Sequence, residues 1–168
     1  VGTSILKTSS ILFGIIGFQL FLGGMLSGMK AAVIYPTWPD MNGSYFPDII
    51  FIKEEWNLSN FYNYDRNSFM PALIHFLHRN TAYLILILGV YLIFKLYKTC
   101  SESRLTYIKW LPYFLLGSIL IQILLGIFTV INSKGSIPVA LGVMHQGGAL
   151  GLITVTVFAI FVLRIKKL

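Results

Sequence analysis

Long apolar runs dominate the chain, and polar residues gather between them. Three of these runs contain no charged residue: residues 8–29, 110–133 and 135–163. At about 1.5 Å per residue, each is long enough as a helix to cross a hydrocarbon core of about 30 Å. A fourth run, residues 69–94, is equally apolar but carries His75, His78 and Arg79 in its first half. The pattern therefore predicts four transmembrane helices, the second of which turns a polar face toward its neighbours.

The predicted architecture is an all-α, integral membrane four-helix bundle that occupies residues 1–168 as a single domain. A content of 56% apolar and 11% charged residues is typical of a membrane domain and not of a soluble one. The long polar segment, residues 30–68, is rich in turn formers and aromatic residues, and we expect an ordered cap with a short helix around residues 58–64. Ordinary anchoring at the membrane interface is the alternative. The predicted spans are residues 9–29, 69–97, 107–132 and 137–163.

Basic residues predict the orientation. With four spans, both termini share one side, and that side collects most of the lysine and arginine: Lys7, Lys95, Lys98, Arg104, Lys109, Arg164, Lys166 and Lys167. The positive-inside rule then places both termini on the cytoplasmic or matrix side and the long loop outside. The basic residues at the helix ends, which set the orientation, account for the net charge of +7. We therefore expect the lipid bilayer as a partner and do not expect a nucleic acid.

The four predicted helices contain a repeat. Gln19–Gly23 and Gln122–Gly126 share the pattern Gln-x-x-Leu-Gly, and the helix that follows each copy carries a histidine, His78 or His145. Two helices separate the copies, so we expect the two helix pairs to be related by a pseudo-twofold axis along the membrane normal. A chance match, or glycines that serve only close helix packing, would give the same pattern.

The two histidines lie at similar depths. Counted from the starts of their helices, His78 and His145 are about 13 and 10 Å from the same membrane surface. Two imidazoles at one level in a bundle predict axial ligands of a haem iron, whereas zinc or copper would require more protein ligands. Small residues leave room for a flat ring on the fourth helix: Gly142, Gly147, Gly148, Ala149 and Gly151. Hydrogen bonds to neighbouring helices are the alternative role.

Other polar residues accompany this pair. His75 lies one helical turn before His78 and is a weaker alternative ligand, more suited to the rim of the site. Arg79 and Gln146 directly follow the two histidines, and we expect both to contact the cofactor. A haem propionate would suit the guanidinium of Arg79, and lipid headgroups are the alternative partner. No catalytic residue emerges from the sequence.

Five segments in order along the chain resemble the haem A synthase family of mitochondria and bacteria. They are Gly24–Ala32, Tyr35–Gly43, Phe76–Arg79, Gln122–Gly126 and Met144–Gln146. Members of this family have eight helices in two similar halves, and the chain resembles the C-terminal half. The resemblance implies a haem b (iron protoporphyrin) with His78 and His145 as its axial ligands. It also implies a bacterial plasma membrane or a mitochondrial inner membrane.

The resemblance further implies how the activity is divided. In the family, the oxidation of a haem O methyl group to the formyl group of haem A is placed in the N-terminal half, where a glutamate lies three residues before a histidine; here His75 stands at that position. The expected function is support of haem A synthesis for cytochrome oxidase by a half that is not catalytic alone. The implied partners are an N-terminal catalytic half or a second copy, cytochrome oxidase and haem O synthase. A four-helix b-type cytochrome that carries electrons or acts as a scaffold, and a cofactor-free scaffold, are the alternatives.

Overall fold

The computed structural model describes residues 2–101 and 106–166, and it is all-α as predicted. Its helices in chain order are α1 (Gly2–Gly28), α2 (Ala31–Ile34), α3 (Leu58–Tyr62), α4 (Phe69–Ser101), α5 (Thr106–Lys109), α6 (Leu111–Ile131) and α7 (Val139–Lys166). Two 3₁₀ turns lie between α2 and α3, at Asp48–Phe51 and Lys53–Glu55. Four helices, α1, α4, α6 and α7, are long and apolar enough to cross a membrane. Arg104 and Lys167, used to predict orientation, lie outside the described residues.

Helix α1 begins well before the predicted start of the first span. Its first half contains three consecutive hydroxyl residues, which would be costly in hydrocarbon if they lacked partners. Thr8, Ser9 and Ser10 each donate a hydrogen bond to the carbonyl four residues earlier, at 3.0–3.1 Å. This pairing within the helix satisfies the hydroxyl groups, so the polar stretch continues the helix and does not end it.

The four long helices form a ring. Helix α1 packs against α4 and α7, and α6 packs against the same two helices. Neither diagonal pair packs closely within the described residues, so the two histidine-bearing helices, α4 and α7, face each other across the bundle. The core away from the long loop consists of aliphatic side chains from all four helices, among them Leu12, Leu92, Leu115, Ile119 and Ala159.

A second apolar cluster lies at the loop end of the bundle. It joins the end of α1 and the start of α4 to the long loop through Leu22, Met29, Ile50, Phe69 and Met70. Trp56 packs edge-on against Phe69, with ring centroids 5.1 Å apart, and donates a hydrogen bond to the Ile50 carbonyl at 2.9 Å. The loop is therefore an ordered cover on this end of the bundle, and α3 coincides with the short helix predicted there.

Candidate functional site

Unpaired buried polar atoms concentrate at one level of the bundle. Within the described residues, five buried side-chain nitrogen or oxygen atoms have no hydrogen-bond partner: Gln19 Oε1, His75 Nδ1, His78 Nδ1, Gln122 Nε2 and His145 Nδ1. Because buried polar groups in proteins are nearly always paired, such a cluster indicates a place where a ligand completes the interactions. All five belong to the histidines or to the glutamines of the repeat.

His78 is held by one turn of α1. A Cβ atom placed on Gly23 would lie 3.3 Å from Cε1 and 3.8 Å from Nδ1 of the imidazole. The side-chain amide of Gln19 donates a hydrogen bond to the backbone carbonyl of His78 at 3.0 Å. The backbone carbonyl of Gln19 also faces the imidazole, although Nδ1 forms no hydrogen bond of regular geometry. The glycine and the glutamine of the first repeat copy therefore both contact the histidine.

His145 has matching surroundings on α6. A Cβ atom on Gly126 would lie 3.1 Å from Cε1 and 3.5 Å from Nε2 of the ring, and the backbone carbonyl of Gln122 faces the ring. The amide of Gln122 occupies the space beside Gly148 in which a side chain would otherwise stand. The repeat recognised in the sequence is thus a structural one, in which each glycine makes room for one imidazole.

The two imidazoles lie within electrostatic range of each other, although they belong to diagonally opposite helices. Each ring has a buried Nδ1 atom, and Nε2 of neither ring is among the buried unpaired atoms. Two neutral imidazoles that approach from opposite sides are the donor set that a low-spin haem iron takes. Within the described residues, no group of three or more histidine, cysteine, aspartate or glutamate side chains forms an alternative metal site. The residues present therefore fit a haem.

His75 is buried at the loop end of the bundle. Its side chain is 1% exposed, and its ring packs edge-on against Tyr35, with centroids 6.1 Å apart. Nε2 accepts a hydrogen bond from Nε of Arg79 at 3.2 Å. An imidazole that accepts through Nε2 carries its proton on Nδ1, so this ring has no nitrogen lone pair free for a metal. The sequence alone could not distinguish this arrangement from that of His78, because both lie on similar faces of α4.

Arg79 connects the site to the long loop. Its guanidinium donates hydrogen bonds to the backbone carbonyls of Thr37, Pro39 and Asp40, and the side chain is only 8% exposed. In this structure the N–H groups of Arg79 that were expected to bind a haem propionate donate to loop carbonyls. The propionate contact stays a prediction. The loop contact could not be predicted, because the carbonyls of a loop cannot be assigned to a partner from residue types.

The loop segment bound by Arg79 has its own internal hydrogen bonds. Thr37 Oγ1 donates to the Asp40 carbonyl at 3.1 Å and accepts from the Asn42 amide at 2.7 Å. Hydrogen bonds from Thr37 and then from the Gly43 backbone, with a smaller contribution from the charge of Arg79, lower the pKa of the Asp40 carboxyl below its usual value. The carboxylate therefore stays ionised at neutral pH on the side of the loop that faces the guanidinium.

Gln146 is not brought to the other site residues. Its side chain is exposed on the surface of α7, while the preceding residue, His145, faces the bundle. In an α-helix, neighbouring residues point about 100° apart, so consecutive side chains rarely share one site. The expected contact between Gln146 and the cofactor stays a prediction. The partly buried glutamines Gln19 and Gln122 lie against the histidine-bearing helices, and the sequence singled them out only as members of the repeat.

Comparisons with a family model and with individual proteins agree on one family. Residues 2–157 match the COX15-CtaA family, described as cytochrome oxidase assembly protein. Similar curated proteins include the haem A synthases of Bradyrhizobium sp. (31% identity over 148 residues, 87% of this chain and 37% of the relative) and Pelagibacter ubique (35% over 136 residues, 81% and 36%). The haem A synthase of Brucella anthropi is 34% identical over 135 residues, 79% of this chain and 33% of the relative.

The chain spans about a third of the length of these relatives. No solved structure matches it. The family match covers α1, the loop, α4, α6 and α7 as far as residue 157, and thus both histidines. The chain belongs to the COX15-CtaA family of cytochrome oxidase assembly proteins.

Proposed function

We propose that this chain is the haem b-binding half of a haem A synthase and supports the conversion of haem O to haem A for cytochrome oxidase. The observation that carries the proposal is the pair of partly buried imidazoles, His78 and His145, on diagonal helices of one bundle, each with a buried and unpaired Nδ1 atom. The names of the curated relatives supply the pathway. We further propose that the chain lies in a bacterial plasma membrane or a mitochondrial inner membrane, with both termini on the cytoplasmic or matrix side.

Each residue of the site has a role in this proposal. His78 and His145 hold the iron, and Gly23 and Gly126 leave space for their rings. Arg79 holds the loop against the adjoining end of the bundle by hydrogen bonds, and the loop excludes water from the site. Haem b, when bound, supplies reversible one-electron transfer. Oxidation of the haem O methyl group would take place on a catalytic half in the same protein or on a partner chain, and haem O synthase and cytochrome oxidase are the candidate neighbours.

Spectroscopy of the purified chain tests the ligand assignment. We expect reduced-minus-oxidised spectra of a low-spin b-type haem, and we expect His78→Ala and His145→Ala each to abolish the signal. His75→Ala should only weaken it, since Nε2 of His75 is bound to Arg79. Ser10→Ala, which removes an exposed hydrogen bond within α1, is the matched control and should keep the full signal. A full signal in either of the first two variants would refute the assignment.

A second measurement separates this function from that of a plain b-type cytochrome. The chain would be produced together with the N-terminal half of a haem A synthase in cells that lack haem A synthase, and the extracted haems would be separated by chromatography. We expect haem A to appear with the wild-type chain and to be lost with His78→Ala. Haem A at the same level in both would show that the bound haem is not required for the oxidation, as in the cytochrome alternative.

A further inference from the structure

Gln19 makes a contact that helix packing alone does not require. Its amide crosses from α1 to α4 and donates to the backbone carbonyl of His78 at 3.0 Å, although the two residues are 59 positions apart. A helix carbonyl has a second lone pair, so it can accept this bond in addition to its bond within the helix. Such a bond fixes the helical turn that carries the imidazole relative to α1.

The same turn of α1 also contacts the ring itself. The backbone carbonyl of Gln19 faces the imidazole, and Gly23 lies beside Cε1 and Nδ1. Histidines that bind metals usually direct Nδ1–H to a carbonyl or carboxylate, which orients the ring and makes Nε2 a stronger donor. Nδ1 of His78 is buried near the backbone carbonyl of Gln19 but forms no regular hydrogen bond, so part of that arrangement is present.

We propose that Gln19 is a positioning residue for His78. Its amide holds the His78 turn against α1, keeps Nδ1–H directed at the Gln19 carbonyl, and leaves Nε2 as the nitrogen for the iron. This inference rests on the proposed function, because it concerns the haem that His78 would bind. It assigns to the glutamine of the repeat a role in tuning the cofactor in addition to its role in packing.

The second copy of the repeat provides an internal comparison. Gln122 occupies the corresponding position on α6, but its Nε2 atom is buried without a hydrogen-bond partner, and its amide packs beside Gly148. No hydrogen bond therefore ties the Gln122 amide nitrogen to the turn that carries His145. Loss of the Gln122 amide should consequently affect the haem less than loss of the Gln19 amide.

The experiment compares variants of the haem-loaded chain. Gln19→Met preserves the side-chain volume and removes the hydrogen bond, so we expect a weaker Nδ1–H interaction and a less basic Nε2. The midpoint potential of the haem should rise, the low-spin electron paramagnetic resonance spectrum should change, and haem affinity should fall about tenfold. Gln122→Met should shift the potential less. Ile16→Val, a packing change on a buried residue of α1, should not move it.

Distinct results would overturn the inference. An unchanged potential and spectrum in Gln19→Met would refute it, and an equal shift in Ile16→Val would show that only packing is involved. If Gln19→Met does not fold, Gln19→Asn withdraws the amide by one methylene and should raise the potential in the same direction; an unchanged potential there would also refute the inference. A wild-type chain that binds no haem would instead contradict the proposed function.

Discussion

The two helix pairs of this bundle present their histidines in the same way but are anchored differently. In both pairs a Gln-x-x-x-Gly turn contacts the imidazole of the following long helix. The first pair, α1 and α4, adds His75, Arg79 and the loop that Arg79 binds. In the second pair, α6 and α7, Gly142 stands at the position of His75, and the exposed Gln146 stands at the position of Arg79. The repeat supplies two similarly placed histidines, and the loop distinguishes one from the other.

This difference indicates which contacts stabilise the loop end of the bundle. The α4 side of the site is covered by an ordered loop, whose backbone carbonyls accept hydrogen bonds from the buried guanidinium of Arg79. The α7 side packs directly against neighbouring helices, and Gly148 leaves space there for the amide of Gln122. We therefore expect loss of the loop contact in the first pair to lower the stability of the bundle, and loss of the corresponding residue in the second pair, Gln146, to leave stability nearly unchanged.

The largest effect should come from Arg79→Met. The variant leaves three loop carbonyls without a charged donor, and we expect the free energy of unfolding to fall by about 3 kcal/mol. The corresponding change in the second pair, Gln146→Met, alters an exposed residue and should remain within about 0.5 kcal/mol. Thermal unfolding in detergent measures both, and limited proteolysis should show faster cleavage of the loop only in the Arg79 variant.

The Gln146 variant also tests an expectation from the sequence. A loss of haem from Gln146→Met at unchanged stability would show that this side chain does contact the cofactor. Equal destabilisation by the Arg79 and Gln146 variants would contradict the distinction between the two helix pairs.

An intermediate effect is expected at the two glycines of the repeat. A Cβ atom at Gly126 would come within 3.1 Å of the His145 ring, and one at Gly23 within 3.3 Å of the His78 ring. Forcing an extra methyl group into a packed site costs about 1–2 kcal/mol, so Gly126→Ala and Gly23→Ala should both reduce haem content, the first more strongly. Gly117→Ala, where no atom lies within 4 Å, is the control. Haem content per protein is measured as the pyridine haemochrome, and normal content in both variants would contradict the contact.

The smallest effect should come from the starts of the two histidine-bearing helices. Asn67 accepts a hydrogen bond from the Met70 amide at 2.8 Å and caps α4, so Asn67→Ala should cost about 1 kcal/mol. Pro138 precedes α7 and contributes only its carbonyl, which accepts from the Gly142 amide at 3.0 Å. Pro138→Ala retains this bond and should change stability by less than about 0.5 kcal/mol. Chemical denaturation of the purified chain compares the two, and a larger loss in Pro138→Ala would reverse the expected order.

Much of the fold could be predicted because it depends on local patterns. Length and hydropathy were sufficient for the four long helices, and the density of turn formers and aromatics indicated the ordered loop with its short helix. The repeated glutamine and glycine positions predicted that the two helix pairs would be alike. The first predicted span, residues 9–29, coincides with most of α1, which begins at Gly2 because the hydroxyls of residues 8–10 bond within the helix.

The contacts of individual side chains could not be predicted, because they depend on distant segments. Arg79 binds carbonyls about 40 positions earlier, and those carbonyls have no signature in the sequence. His75 and His78 lie on similar faces of α4, and only the position of Arg79 shows that Nε2 of His75 is occupied. The bond between Gln19 and the His78 carbonyl likewise requires the packing of α1 against α4.

The most direct test of the account is electron paramagnetic resonance of the ferric protein labelled with ¹⁵N-histidine. We expect a low-spin iron with hyperfine coupling to the nitrogens of two histidines, and we expect His145→Ala to show no such low-spin signal because it does not retain the haem. A high-spin iron in the wild-type chain, or coupling to fewer than two histidine nitrogens, would contradict the claim that His78 and His145 bind one iron between them.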